Sequence, residues 1–469
     1  MTRRVVTLLA ALLVAAVASA QAGDGLARAV EACLKADGMA HATVSVCVYD
    51  AAKGLPLYDH DAQRALPAAS VQKVLATGVA LSRLGAGHRF TTRLLMQGEV
   101  DRDGVLHGDL VIVGGGDPLL GSYRYKQTSH DSLFARWTAA LKSRGVRRVD
   151  GRVAYDASIF TDANRHDTWQ HGDVGNYYGS GASGLTFHEN MYFVYFGAGS
   201  AVGEPASVVR TAPKNMSLVE DCRVLTGQAG SGDQVVVYGL EDSRERLYTG
   251  TVPLGSRDFP VRASLPCPPR TCADLFAVYL RQHGVSVGHE AAPAASPAGE
   301  ARTVSEYSSP ELHLIARYTN QTSNNVYAEC LFKYLGHTMA GEGSFDGGAR
   351  AVEQWLDGHG VERGGVRIVD GSGLSRLNTV TTDFLCRYLA VMHREPCRDV
   401  FVQSLRSSST QASHRYKTGS MDGLRAQAGY LVAHGRTLAY AVIITGYACP
   451  PDKAKESIDN IVAAMGGMQ

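Results

Sequence analysis

The chain has 469 residues, 45% of them hydrophobic and 19% charged, with a formal net charge of +1. That length exceeds what one hydrophobic core usually fills, so two or three domains are expected, and the composition excludes a disordered or low-complexity chain. A near-neutral balance gives no electrostatic case for nucleic acid or an anionic membrane surface as partner.

Arg3 and Arg4 precede an apolar run from Val5 to Val17, and Ala18-Ser19-Ala20 follows with a small-x-small pattern. Together these read as a cleavable signal peptide over residues 1–20. A membrane anchor is the weaker reading, because the run is shorter than the roughly 20 residues a helical span needs. Thr2-Arg3-Arg4 resembles a twin-arginine start, but nothing else supports it. Without Arg3 and Arg4 the formal charge becomes −1. The expectation is an exported protein, periplasmic or extracellular, with no transmembrane anchor after signal cleavage.

Beyond the signal, Leu26, Val30, Cys33 and Leu34 mark a helical face that Gly38 stops. Thr43 to Tyr49 and Leu55 to Tyr58 read as strands around the Lys53-Gly54 turn, and Val71, Val74, Leu75 and Val79 mark a second helix. From about residue 88 to 300, short strand-like runs (Leu110 to Val113, Val149 to Tyr155, Gln234 to Tyr238) alternate with Gly-rich turns. This region ends in an Ala/Pro-rich linker, Ala291 to Ala301. Ser309-Pro310-Glu311 then looks like a helix start, with Ser as N-cap and Pro as the first helical residue. Helical patterns cover Ala328 to Leu335 and Phe384 to Met392. Alternating strands, Ala428 to Ala433 and Leu438 to Thr445, flank a His434-Gly435-Arg436 turn, and a final helix carries Ile458, Ile461, Val462 and Met465. The terminal strand pairs need partners, which argues that the two ends form one domain around a strand-rich insertion.

Nine cysteines are present. The odd count leaves at least one thiol free or paired between chains. Cys267/Cys272 and Cys386/Cys397 are close enough in sequence to bridge, although Cys272 and Cys386 equally fit buried helix faces. With no Cys-x-x-Cys and no His-Glu-x-x-His, neither a zinc site nor any other metal or cofactor is expected.

Three short motifs carry chemistry. Ser70-Val71-Gln72-Lys73 opens the second helix, Ser323-Asn324-Asn325 follows the Ser309 helix, and Lys417-Thr418-Gly419 precedes the last hairpin. Each is the single instance of its pattern, and their order is that of serine penicillin-recognising enzymes. Residues three apart share a helix face, so Lys73 can reach Ser70. A serine hydroxyl needs a neighbouring base, and lysine serves if burial and nearby cations favour its neutral amine. Ser323 could relay a proton to the leaving nitrogen, and Asn325 could bond the substrate amide and hold Lys73. Lys417 offers charge to a terminal carboxylate. Thr418, Gly419 and Ser420 lie on a strand that can pair with an extended substrate, and the N–H groups of Ser70 and Ser420 could stabilise an oxyanion.

On these motifs the chain resembles the class C low-molecular-mass penicillin-binding proteins, which are D-alanyl-D-alanine carboxypeptidases and endopeptidases. The long interval between Ser70 and Ser323 is that class's mark. Gly114-Gly115-Gly116-Asp117-Pro118, Asp156 with Ser158-Ile159-Phe160, Gly175-Asn176-Tyr177-Tyr178 and Asp370-Gly371-Ser372-Gly373-Leu374-Ser375-Arg376 extend the likeness over most of the chain. The resemblance implies an α/β (α+β) fold: a β-lactamase/transpeptidase-like domain, 21–88 and 300–469, with an antiparallel sheet flanked by helices. Two inserted strand-rich domains follow from it, 89–165 with 255–299, and 166–254 nested inside. It implies a penicillin-sensitive serine D,D-peptidase acting on peptidoglycan peptides, with β-lactams as inhibitors, no cofactor, and a homodimer left open. It also places Asp156, Phe160 and Arg376 around a side pocket for the meso-diaminopimelate residue, whose extra charges Asp and Arg can pair. Two positions depart from the pattern. Asn324 stands where an Asp is common, and Asp422 where some relatives carry an amide.

Rival readings are weaker. Gly114 to Gly116 lacks the Lys-Ser/Thr of a phosphate loop, and Gly284-Val285-Ser286-Val287-Gly288 follows a helix, whereas a nucleophile elbow follows a strand. His188 and Glu189 read as a satisfied surface pair. A β-lactamase or esterase of the same fold would need an extra base motif for fast deacylation. A non-catalytic wall-binding homologue would not be expected to keep all three motifs.

Overall fold

The computed structural model describes residues 25–214, 216–294, 301–409, 411 and 413–468. The expected signal peptide and most of the expected linker lie outside the described residues. By its contacts the chain divides into two units, one of Met1–Ala86, Ala316–Ser323 and Val352–Gln469, the other of Gly87–Ile315 and Asn324–Ala351.

The first unit is built on a six-stranded antiparallel sheet, in the order Leu55–His60, Thr43–Asp50, Arg436–Thr445, Leu424–Ala433, Arg415–Met421, Arg406–Ser407. N- and C-terminal segments meet in its middle, with Thr43 opposite Thr445, as the unpaired terminal strands required. Successive side chains of a strand point to opposite faces. Val44, Val46 and Val48 therefore join Leu26, Val30, Ile458 and Ile461 under helical residues 25–35 and the helix Pro451–Met465. Ser45, Cys47 and Tyr49 face the helix Thr382–Met392, where they meet Thr382, Cys386 and Asp383. With both faces covered, Thr43–Asp50 is buried almost throughout.

The nucleophile segment enters on a short strand, Leu66–Pro67, paired with Thr379–Val380. It turns through the 3-10 segment Ala69–Gln72 and continues as the helix Lys73–Leu84, whose residues from Lys73 to Leu81 are all buried. Gly78 lets this helix approach Tyr388 closely: a Cβ there would lie 2.0 Å from the Tyr388 hydroxyl. That hydroxyl donates to Val74 O at 2.8 Å.

The second unit holds two cores. One lies under a seven-stranded sheet that includes Val105–Val113 and Thr91–Val100, packed with the helices His130–Lys142 and Pro268–Gln282 through Leu110, Ile112, Phe134, Trp137 and Phe276. The other joins smaller sheets through Tyr192, Val194, Phe196, Val237 and Tyr248.

Three expectations are corrected. Ala301–Ser308, placed from sequence with the terminal domain, is the strand beside Thr91–Val100 and belongs to the second unit. The following helix runs Leu312–Thr322, later than placed from sequence, and the Ser309 hydroxyl instead accepts from Phe90 N–H and donates to Pro310 O. Val149 to Tyr155 is interrupted between Val149 and Val153, where Gly151 sits so close to Asp109 that a Cβ would be 2.0 Å from its Oδ1. Among the described residues, which include all nine cysteines, none is in a disulfide. Cys272 is sealed in the core and Cys386 packs on Cys47 O at 3.2 Å, so neither meets its sequence neighbour.

Candidate active site

Ala69, immediately before the nucleophile candidate, is held at φ +46°, a conformation that disfavours L side chains. The turn leaves Ser70 half-buried at the head of the helix. Lys73, one helical turn on, is wholly buried, and its amine lies 2.8 Å from Ser70 Oγ and 2.7 Å from the Ser372 carbonyl oxygen. Ser372 belongs to a buried loop bound to Gln72, the residue preceding Lys73: Gln72 Nε2 donates to Asp370 O at 2.6 Å and to Asn378 Oδ1 at 2.7 Å. Gly373 closes the contact, since a Cβ there would sit 1.9 Å from Ala69 O.

The Lys417 strand reaches the same turn. A Cβ on Gly419 would be 3.2 Å from both Ala69 Cβ and Val71 N, so the small residue of the Lys-Thr-Gly motif allows strand and turn to touch. Lys417 is wholly buried and donates to Ser323 Oγ at 2.8 Å and Thr418 O at 2.7 Å. Burial, then the charges of Lys73 and Arg406, pulls its amine well below the ordinary lysine range. Arg406–Ser407 covers only Arg415 and Tyr416, and no described strand covers the outer edge from Lys417 to Met421. Ser323 is itself at φ +58°. Ser70, Lys73, Ser323, Lys417, Thr418, Gly419 and Ser420 thus all belong to the first unit, as does Arg376, which is exposed.

Asn325, Asp156 and Phe160 belong to the second unit. Asn325 Nδ2 donates to Tyr178 O at 2.7 Å, at the start of the helix Asn325–Met339, which Asn324 caps through Tyr327 N–H at 3.1 Å. Asp156 and Phe160 line a cavity of about 540 Å³ together with Asp162, Asp242 and Arg270. Asp156 Oδ1 accepts from Ser158 N–H at 2.9 Å.

Sequence reasoning missed two sets of residues. Ser372 acts through its backbone carbonyl, which no pattern reveals, while Asp370 stood out only as part of its motif and Asn378 in no motif, because their side chains bind loop backbone that only the fold brings to them. His188 and Glu189 are buried, contrary to the surface expectation. Three consecutive residues, His188, Glu189 and Asn190, take left-handed φ. Glu189 accepts from Ser122 Oγ at 2.6 Å, Arg124 Nη2 at 2.8 Å and Asn324 Nδ2 at 3.4 Å. Glu189 thus places a carboxylate beside the Asn324 side chain. Among the described residues no cluster of three or more His, Cys, Asp or Glu could hold a metal ion, and no helix is long and apolar enough to cross a membrane.

A serine–lysine pair on a buried helix, facing a second lysine on the antiparallel sheet beside it, defines a serine peptidase of the penicillin-recognising class. The chain belongs to the D-Ala-D-Ala carboxypeptidase 3 (S13) family, which it matches over residues 26–466, and is a serine-type D-Ala-D-Ala carboxypeptidase. It is 29% identical over 466 residues to the D-alanyl-D-alanine carboxypeptidase of Actinomadura sp. (strain R39), covering 94% of this chain and 85% of that one. Over 406 residues it is 22% identical to D-alanyl-D-alanine carboxypeptidase DacB of Haemophilus influenzae, covering 83% and 82%. The crystal structure of penicillin binding protein 4 from H. influenzae superposes with a TM-score of 0.79 at 20% identity, over 94% of this chain and 99% of that one, which establishes the fold.

Proposed function

We propose that Ser70 is the nucleophile of a D,D-peptidase that acts on peptidoglycan stem peptides. The observation that carries this reading is the Lys73 amine held 2.8 Å from Ser70 Oγ, in the unit that also holds the Lys417–Ser323 pair. Ser70 Oγ attacks the carbonyl carbon of the penultimate D-alanine while Lys73 takes its proton. The N–H groups of Ser70 and Ser420 face the developing oxyanion. As the C–N bond breaks, a proton passes through Ser323 to the leaving amine, D-alanine departs, and water hydrolyses the ester.

A C-terminal carboxylate beside Lys417 opposes the downward pull of burial and favours its ammonium. Asn325 bonds the substrate amide. Thr418, Gly419 and Ser420 pair with the extended peptide through the uncovered strand edge. Asp156, Phe160 and Arg376 select meso-diaminopimelate by pairing its ammonium and carboxylate. A cross-linked peptide that presents the same D-alanyl bond is cleaved as an endopeptidase substrate, and β-lactams acylate Ser70. The related H. influenzae structure complexed with a β-lactam supports that last reading. The protein works outside the cytoplasmic membrane.

The test is Ser70→Ala. It should abolish both labelling by a fluorescent penicillin and release of D-alanine, with an unchanged circular dichroism spectrum. Release at the native rate would mean that the nucleophile is another residue. Mass spectrometry of muropeptide digests, comparing monomers with cross-linked dimers, separates carboxypeptidase from endopeptidase action.

A further inference from the structure

The base candidate is not held by its own helix alone. Lys73 Nζ reaches out to the Ser372 carbonyl, and that carbonyl sits in a loop whose shape depends on two buried side chains outside the three motifs. We propose that Asn378, together with Asp370, is a positioning pair for the reaction. It fixes the Ser372 carbonyl and through it the angle and distance at which the Lys73 amine meets Ser70. This rests on Lys73 acting as the base for Ser70, as set out above.

Asn378 uses its amide in both directions. Its Oδ1 accepts from Gln72 Nε2 at 2.7 Å, Val369 N–H at 2.7 Å and Asp370 N–H at 3.3 Å. Its Nδ2 donates to Asp370 Oδ1 at 2.9 Å and Ser375 O at 2.9 Å. The Asp370 carboxylate then accepts from Gly373 N–H and Ser375 N–H, each at 2.7 Å. These bonds pin the loop on both sides of Ser372. The same segment is locked to the chain just ahead of the nucleophile, where Thr379 pairs with Pro67 and Ala68 N–H donates to Asn378 O at 3.4 Å. One amide thus ties the Ser70–Lys73 helix, through Gln72, to the loop that accepts from Lys73.

The chemistry of the amide is specific. Asp at 378 keeps the volume but turns the Nδ2 donor into an oxygen facing Asp370 Oδ1 and Ser375 O, so both acceptors lose that donor and a like charge is placed beside the Asp370 carboxylate. Packing alone does not require such a network, since apolar groups of the same volume fill a core as well or better. What the polar version supplies is direction for one backbone carbonyl. That carbonyl favours the ammonium form of Lys73. From the sheet, Lys417 is the charge that acts on the Lys73 amine, and Arg406 acts in turn on Lys417.

The experiment compares wild type with Asn378→Asp in the full chain, using a fluorescent penicillin as acylating probe and a D-Ala-D-Ala peptide as substrate. Second-order acylation rates are taken across pH 5 to 10, corrected for folded fraction by thermal unfolding. The expected result is a loss of roughly 10- to 100-fold, the worth of one hydrogen bond to a charged group, falling on kcat with KM little changed. The acid limb of the pH profile should move to lower pH, because an amine without its carbonyl acceptor is a weaker base. A merely structural role would lower the melting temperature and leave the limb in place. That result, or an unchanged rate, overturns the proposal. If Asn378→Asp does not fold, Asp370→Asn and Gln72→Met interrupt the same chain of bonds, and native pH profiles in both overturn it equally. Mass spectrometry of the wild-type adduct separates this from the underlying reading. A penicilloyl group on a residue other than Ser70 defeats both, whereas a Ser70 adduct with native kinetics in the variants defeats the positioning role alone.

Discussion

Gly373→Ala tests whether the loop that backs the nucleophile turn sets the rate of acylation. Two effects add. At φ +78° an L side chain costs about 1–2 kcal/mol. The new Cβ would also lie 1.9 Å from Ala69 O and 2.6 Å from Ala69 C, both backbone atoms, so the loop or the turn must give by more than a typical side-chain adjustment, at about 1–3 kcal/mol. The sum, about 2–5 kcal/mol, lowers the stability of the first unit without abolishing its fold in a protein of ordinary stability. Any shift of an ångström takes Ser372 O out of reach of Lys73 Nζ, now 2.7 Å away. Losing a hydrogen bond to a charged group is worth about 1.5–3 kcal/mol, hence roughly 10- to 100-fold in acylation rate. Stopped-flow acylation by a fluorescent penicillin measures this directly. Gly360→Ala is the control, because Gly360 has φ +65° and nothing within 4 Å of a built Cβ, so it carries the conformational cost alone. If Gly373→Ala acylates within twofold of Gly360→Ala, the loop does not hold the base.

Lys417→Ala should weaken peptide binding and acylation together, by about 10- to 100-fold in acylation, since it removes both the donor to Ser323 and the charge for a carboxylate; unchanged acylation counts against carboxylate docking. Lys333 is wholly buried and donates to Asp162 at 2.6 Å and Ala163 O at 2.7 Å, and Lys333→Ala should destabilise by about 1–3 kcal/mol in urea unfolding by removing those donors; a change below about 0.5 kcal/mol would refute it. His188 is buried and held down to about 4, from 6.5. The unfolded chain therefore binds a proton that the native protein does not as pH falls from 6.5 to 4, and stability drops in that window, by about 3 kcal/mol at most. Asp117, pushed up to about 7 by burial, works in the opposite sense, gaining native-state protons as pH falls below 7. The effect is isolated by His188→Asn, which suits the left-handed φ. The stability advantage of wild type over variant should shrink between pH 7 and pH 4, and a constant difference would show that His188 does not titrate there.

Much was decided locally and was legible in the residues. The helices over 25–35, Lys73–Leu84, Thr382–Met392 and Pro451–Met465, and the hairpin around His434-Gly435, follow from apolar spacing and turn residues. Ser70 and Lys73 are a pair because three residues make nearly one helical turn, and Lys417 falls on a strand edge ahead of the alternating final hairpin. Only the tertiary structure decided what these groups meet. No local pattern joins Lys73 to the carbonyl of Ser372, Lys417 to Ser323, or Gly373 to the backbone of Ala69, since the partners lie far apart in the chain, 94 residues for Lys417–Ser323 and 299 for Lys73–Ser372, and two of the contacts use backbone atoms that every residue has. Burial of His188 and Glu189 is likewise set by what packs over them: their polar side chains argue for solvent until Arg124, Ser122 and Met191 O are seen to satisfy them. The strand Ala301–Ser308 went to the other unit for the same reason, because a β-strand's alternation says that it pairs, and only the fold says with which partner.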